Sequence, residues 1–119
     1  MDRSIEETAR RLELIESKLQ WLFENTDLTS MLFEYDITIS KQNEIADMLQ
    51  SYRDRLSAGE SISRANYESK MQETSGVPDY HFAESYLANC YKEGRWEELF
   101  EAFYKGCSIY ERTVKELQR

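Results

Sequence analysis

Residues 4–24 read SIEETARRLELIESKLQWLFE, and this stretch decides the fold. Its apolar side chains alternate at spacings of three and four residues, the a/d pattern that lets one helix lie along another. At about 1.5 Å of rise per residue, the predicted helix is about 30 Å long. Its a and d positions, called the heptad face below, are Ile5, Thr8, Leu12, Ile15, Leu19 and Leu22.

The same helix carries a second apolar line, because Leu14 and Trp21 also lie seven residues apart on a different face. Phe23 widens the heptad face. A helix with two apolar faces must bury both, so we expect the heptad face to pack on its own domain and the Leu14/Trp21 face to contact another copy or another protein. The helix is therefore the predicted site of self-association. With Trp96 from the later chain, the candidate interface residues are Ile5, Leu12, Leu14, Ile15, Leu19, Trp21 and Leu22.

Length and composition predict a single all-α domain spanning residues 1–119. Hydrophobic residues make up 40% and aromatic residues 13% of the chain, enough apolar mass for a core without metals or disulfides. Four glycines and one proline favour helices with short connections. Two cysteines, Cys90 and Cys107, are too few for a disulfide scaffold, and we interpret both as small buried hydrophobes.

The charge of the chain argues against several partners. A net charge of −8 disfavours nucleic acid, where affinity comes from Lys and Arg neutralising phosphates. It equally disfavours an anionic membrane surface. No apolar run reaches the roughly 18 residues of a membrane span, and the first residues lack the basic and apolar regions of a signal peptide. The expected location is the cytoplasm.

The middle of the chain predicts shorter helices with clear ends. Residues 28–36 fit a short helix or a buried connector, and residues 37–39 an extended link. Ser40 is the expected N-cap of a helix that Gly59 ends. A short helix follows Ser61 or Ser63, and another runs from the Pro78 and Asp79 region to Gly94.

Residues 96–118 predict a second long helix. We expect it to pack beside the first helix in a compact bundle of four to five helices, with long amphipathic helices at both ends. Gly106 lies inside it, where Gly costs about 1 kcal/mol relative to Ala. Its apolar positions are Trp96, Phe100, Phe103, Cys107, Tyr110, Val114 and Leu117.

Sites for chemistry are sparse. The chain has no glycine-rich phosphate loop, no Cys-x-x-Cys pair and no Gly-x-Ser-x-Gly elbow, so no enzyme activity and no cofactor is expected. The candidate metal ligands are His81, the single histidine, with Asp79 before it and Glu84 one helical turn after it. The alternative interpretation is a capping or surface histidine near a helix start.

Two resemblances add to this interpretation. Residues 87–99 resemble the turn of a tetratricopeptide repeat, with an ordinary αα-hairpin as the alternative, since no second copy of the repeat occurs. Most of the chain is similar to the YhaI-like family of small helical proteins of Gram-positive bacteria, whose function is uncharacterised. The similarity lies in Arg11-Leu12-Glu13, in Asp79-Tyr80-His81 and in residues 94–99, GRWEEL. It implies a bacterial protein with a compact helical fold, and no reaction, ligand or catalytic residue.

Three hypotheses for the function remain. The first is a non-enzymatic protein–protein interaction module that associates with itself through the N-terminal helix. The second is an acidic inhibitor or adaptor that docks on a partner with a basic surface, either an enzyme or a nucleic-acid-binding protein. The third is a metal-dependent enzyme, in which symmetry would bring several copies of His81 together.

Overall fold

A computed structural model describes residues 2–118 of the protein. This part of the chain contains seven α-helices and no β-strand, which confirms the all-α fold class and corrects the predicted count of four to five helices. The helices are α1 (Asp2–Glu24), α2 (Asp27–Glu34), α3 (Ile39–Ser57), α4 (Arg64–Ser75), α5 (Tyr80–Lys92), α6 (Glu97–Tyr104) and α7 (Ser108–Leu117).

The chain divides into two compact units, Met1–Asn43 and Glu44–Arg119, called unit 1 and unit 2. Unit 1 contains α1, α2 and the first residues of α3. Unit 2 contains the rest of α3 and α4 to α7. The sequence predicts a single domain over residues 1–119, in which both units would fold together, and this stays a prediction.

Unit 1 is built on a tight connection between α1 and α2. Helix α1 ends at Glu24 and Asn25 takes a left-handed conformation with φ 49°, as expected for a residue that ends a helix. Thr26 then caps α2 in a capping box with Thr29, in which each side chain accepts a hydrogen bond from the other residue's backbone N–H. This tight connection lets α2 pack against α1. The buried residues of α2 are Leu28, Thr29, Met31 and Leu32.

Helix α3 begins one residue earlier than its predicted cap. The side chain of Thr38 accepts a hydrogen bond from the backbone N–H of Lys41 at 3.1 Å, so Thr38 caps the helix and the prediction of Ser40 is wrong. The free N–H of Ile39 donates to Oγ of Ser17 in α1 at 2.8 Å. A side chain from a distant part of the sequence therefore completes this helix start, and no local pattern could reveal it.

The helix ends predicted in unit 2 are confirmed where local residues determine them. Gly59 follows α3 with φ 82°, while Ser63 and Asp79 cap α4 and α5. The apolar face of α3, with its residues spaced three and four apart, is buried at Ile45, Met48, Leu49 and Tyr52, while Leu56 at its end is half-buried.

An aromatic cluster forms the core of unit 2. The rings of Tyr67 and Phe103 stack with centroids 4.8 Å apart. Phe100 lies within 5.4 Å of both Tyr91 and Tyr110, measured between ring centroids. The hydroxyl of Tyr67 donates to the carbonyl of Ala83 at 2.8 Å, which satisfies a fully buried polar group.

The long C-terminal helix predicted for residues 96–118 is wrong. Helix α6 ends at Tyr104, Gly106 takes φ 94°, and α7 starts after Cys107. A positive φ is open to Gly at little cost, so the glycine predicted to lie inside the helix breaks it instead. Both α6 and α7 pack against α5. No second long helix exists within residues 96–118 to lie beside α1.

Candidate interaction surface

The heptad face of α1 is exposed along its whole length. All five of its aliphatic side chains are more than half exposed, and Phe23 beside them is 86% exposed. We expected this face to pack on its own domain, and that expectation is wrong. A solvated apolar stripe of this extent is typical of an interaction site.

The opposite side of α1 packs within unit 1. Trp21 is only 6% exposed, and its indole Nε1 donates to the carbonyl of Ile37 at 2.8 Å. Leu14 is half-buried. The expected roles of the two faces are thus reversed, because the buried indole finds its acceptor in the loop after α2. Trp21 is therefore not available to another copy.

Ser17 is the residue of this buried side that the sequence analysis missed. It is fully buried, donates to the carbonyl of Glu13 at 2.7 Å and accepts from the N–H of Ile39. Its position between Leu14 and Trp21, three residues after one and four before the other, places it on their face. That spacing was the available signal, since a small polar residue on an apolar helix face points to close packing with a hydrogen bond.

Exposed apolar side chains are concentrated in unit 1. Among the described residues, ten large hydrophobic side chains are exposed, and only Tyr80 and Leu117 of these belong to unit 2. The eight in unit 1 are Ile5, Leu12, Ile15, Leu19, Leu22, Phe23, Tyr35 and Ile39. The surface of α1 is therefore the strongest candidate for an interface.

The N-terminal half of α1 has little to hold it within the chain. Every residue from 3 to 12 is exposed. Two i,i+4 ion pairs support it, Glu6 with Arg10 at 4.0 Å and Glu7 with Arg11 at 2.9 Å, and such exposed pairs contribute about 0.3–0.5 kcal/mol each. Isolated helices of this length are marginal in water, so a partner helix would stabilise this half of α1.

Charged side chains flank the heptad face differently on its two sides. The g positions, which precede each a position, carry Ser4, Arg11 and Lys18, whereas the e positions, which follow each d position, carry Ala9, Glu16 and Phe23. One side is thus basic and the other contains an acidic residue. Lys18 also contacts unit 1 itself, with Nζ 2.6 Å from Oδ1 of Asp36.

Trp96, the candidate interface residue of unit 2, is partly covered by its own unit. It precedes α6 in a left-handed conformation with φ 56° and is half-buried. The guanidinium of Arg53 lies 5.5 Å from its ring centroid, and Nε of Arg53 is 2.6 Å from Oε1 of Glu98. A role for Trp96 in an interface stays a prediction.

The three candidate metal ligands lie close in sequence but serve other contacts. Oδ1 of Asp79 accepts from the N–H of His81 at 2.9 Å and so caps α5, while Nδ1 of His81 lies 3.1 Å from Oε1 of Glu84. The hydrogen bond with Glu84 raises the pKa of His81 above its usual value. Within residues 2–118 no three His, Cys, Asp or Glu side chains are grouped to hold a metal ion.

Unit 2 has a cavity of about 310 Å³ between α4, α5 and α7. Two arginines, Arg64 and Arg112, line it together with two glutamates, Glu68 and Glu84, so its charges offset one another. Glu68 accepts from the hydroxyl of Tyr104, and Arg64 donates to Sγ of Cys107 at 2.8 Å. The thiol thus contacts a guanidinium cation.

Comparisons with known proteins complete the description of the chain. No family model, curated protein or solved structure matches it. The resemblance to the YhaI-like family stays a prediction. None of the helices in the described part of the chain has both the length and the apolar character needed to cross a bilayer.

Proposed function

We propose that the protein is a non-enzymatic interaction module that associates with itself through the heptad face of α1. The observation that carries the proposal is the exposure of this face over nearly three heptads, on a helix whose other side is packed within unit 1. The a/d spacing fits a partner that is itself a helix, and a second copy presents the same complementary surface.

The expected association is weak. Burying the exposed part of one such side chain contributes about 1 kcal/mol, so the five aliphatic side chains of the heptad face and Phe23, six in each of two copies, contribute about 12 kcal/mol. The loss of translational and rotational freedom costs about 4–15 kcal/mol, which is of the same size. We therefore expect a concentration-dependent equilibrium, with a Kd on the order of micromolar.

The charge distribution is compatible with self-association through α1. The whole chain carries a net charge of −8, but residues 2–24 contain six acidic and four basic residues, a net charge of only −2. Most of the repulsion between two copies therefore arises outside the helix, where salt screens it. We expect association to strengthen between low and moderate ionic strength.

Light scattering coupled to size exclusion tests the proposal at several protein concentrations. We expect the mass of the wild type to rise towards that of a dimer, while Ile15→Lys remains a monomer. Gln20→Lys makes the same addition of positive charge on an exposed position outside the heptad face, and it should behave as the wild type. Circular dichroism should show all three folded, because Ile15 is exposed.

Two results would overturn the proposal. One is a wild type that stays monomeric at every concentration, and the other is an Ile15→Lys variant that associates as well as Gln20→Lys. Either result would favour the second candidate, an acidic protein that docks on a basic partner, which the net charge of −8 supports. Capture of such a partner should weaken as salt is raised, opposite to the salt response expected of self-association.

A further inference from the structure

We infer that two copies associate in parallel and in register, with Arg11 of each copy paired with Glu16 of the other. This inference rests on the proposed self-association and adds the orientation of the partner. It follows from the charges beside the heptad face and from the position of its one polar residue.

The charges favour the parallel arrangement. In a parallel pair of helices, each g position lies next to the e position five residues further along the partner. Arg11 at g and Glu16 at e are five residues apart, so two Arg11–Glu16 pairs form across the interface. Lys18 at the next g position keeps its contacts within unit 1, where Nζ lies 2.6 Å from Oδ1 of Asp36 and 4.5 Å from the ring centroid of Phe33.

The antiparallel arrangement places like charges together. In that orientation g positions face g positions, so Arg11 of one copy lies near Lys18 of the other, and this repulsion occurs twice, although Asp36 beside each Lys18 offsets part of it. Glu16 then lies near Ala9 and has no cation opposite it. The same side chains therefore attract in one orientation and repel in the other.

Thr8 favours the in-register alignment. In the parallel arrangement it lies opposite Thr8 of the other copy, and every aliphatic side chain of the heptad face meets an aliphatic one. The antiparallel alignment with full overlap instead opposes Thr8 and Leu19. A slip of one heptad opposes Thr8 and Ile15 and leaves one heptad of each copy uncovered. A single polar core position commonly specifies register in this way.

The ion pair that Arg11 makes within its own chain does not prevent it from pairing with Glu16 of the other copy. Its ion pair with Glu7 joins two side chains that are 75% and 61% exposed, so the pair is solvated and readily replaced. The heptad face itself is exposed from Ile5 to Leu22, and α2 packs on another side of α1. A second helix can therefore approach along the whole face.

Cysteine cross-linking distinguishes the two orientations. In a Cys107→Ser background, Thr8→Cys should form a disulfide-linked dimer with itself on mild oxidation, as should Leu19→Cys. Both should cross-link about tenfold or more faster than Gln20→Cys, an exposed control outside the heptad face, because pairing raises the local thiol concentration. Cys90 is fully buried and does not interfere.

The outcomes separate this inference from the proposed function. If Thr8→Cys cross-links only when it is mixed with Leu19→Cys, the pairing is antiparallel. This result would overturn the parallel orientation and leave self-association intact. Thr8→Cys cross-linking no faster than Gln20→Cys, in a protein that light scattering shows to be dimeric, would also overturn it. A monomer at every concentration would remove both the orientation and the function.

Reversing the charge of Arg11 provides an independent test, because the expected change in association has opposite signs in the two orientations. Arg11→Glu should weaken parallel association about fivefold at low salt, because two attractive pairs become repulsive. In an antiparallel dimer it would strengthen association by placing Glu beside Lys18. Arg10→Glu is the matched control, since it breaks the same kind of i,i+4 pair on the outer side of the helix. An equal mixture of Arg11→Glu and Glu16→Arg chains should restore the stronger association only in the parallel case.

Discussion

Helix α1 and the segment 96–118 share one apolar pattern and use it differently. Both show spacings of three and four residues over about three heptads. In α1 the helix is unbroken and its heptad face is exposed, whereas residues 96–118 form two helices joined through Gly106. The aromatic residues Phe100 and Phe103 of this second segment lie in the core of unit 2.

This difference shows that heptad spacing identifies the apolar face of a helix but does not identify the surface that covers this face. In the C-terminal segment, α5 supplies a surface against which both α6 and α7 pack. In α1, the packing surface of unit 1 is taken by the side that carries Ser17 and Trp21, so the heptad face stays in solvent. The first three predictions below test this contrast.

The largest effect is expected from truncation of a buried ring. Phe100→Ala should lower the free energy of unfolding by about 3–5 kcal/mol, because Phe100 is fully buried among aromatic neighbours. Leu12→Ala, at an exposed position of the heptad face, should change the unfolding of the monomer by no more than about 0.5 kcal/mol. Urea denaturation at a concentration below the dimer Kd measures both.

A large loss for Leu12→Ala in the monomer would contradict the contrast, since it would place the heptad face in the core of the chain. The same variant should weaken association in light scattering. Loss of assembly without loss of monomer stability is the signature expected of an interface residue.

Gly106→Ala tests the break between α6 and α7 through the sign of its effect. In a continuous helix, Ala in place of Gly would stabilise the protein by about 1 kcal/mol. At φ 94° the substitution should instead destabilise it by about 1–2 kcal/mol, because an L residue is strained there. Apart from the two neighbouring residues, no atom lies within 4 Å of the added Cβ, so no steric clash adds to the backbone strain. An increase in thermal stability would argue for one long helix.

The reactivity of the two cysteines tests the same break between α6 and α7. Burial raises the pKa of the Cys90 thiol to about 12, so this residue should resist a thiol reagent at neutral pH until the protein unfolds. Cys107 is half-buried at the start of α7 and should react in the folded state. Cys107→Ser should abolish this early labelling. Equal protection of both thiols would contradict the exposed connection between α6 and α7.

The smallest effect is expected from the exposed pair of His81 and Glu84. The hydrogen bond with Glu84 raises the pKa of His81, so the folded state favours the protonated imidazole. The resulting stabilisation is fully present below the unfolded pKa of about 6.5 and is lost as pH rises through the higher folded value. Melting curves should therefore show a slightly larger decrease from about pH 5.5 to 8.5 for the wild type than for Glu84→Gln. An equal decrease would show that the pair contributes nothing to folding.

The helix ends show which features of the fold the local sequence can predict. Gly59, Ser63 and Asp79 end or cap helices as predicted, because each acts on backbone groups within a few residues. At the start of α3 the true cap, Thr38, is also local, and the prediction chose Ser40 in its place. The contact of the Ile39 N–H with Ser17, 22 residues away, had no local signal. Local chemistry is thus readable from the chain, and contacts between distant residues are not.

The sequence by itself determined the helical class, the apolar faces and most helix boundaries, since these depend on residue spacing and on short-range hydrogen bonds. Only the tertiary structure decided which face of α1 is covered and whether residues 96–118 bend at Gly106. Both depend on which surfaces meet: the indole of Trp21 finds its acceptor at Ile37, and α5 offers a surface to both α6 and α7. Periodicity identifies the apolar surface of a helix, and packing decides which part of it remains in solvent.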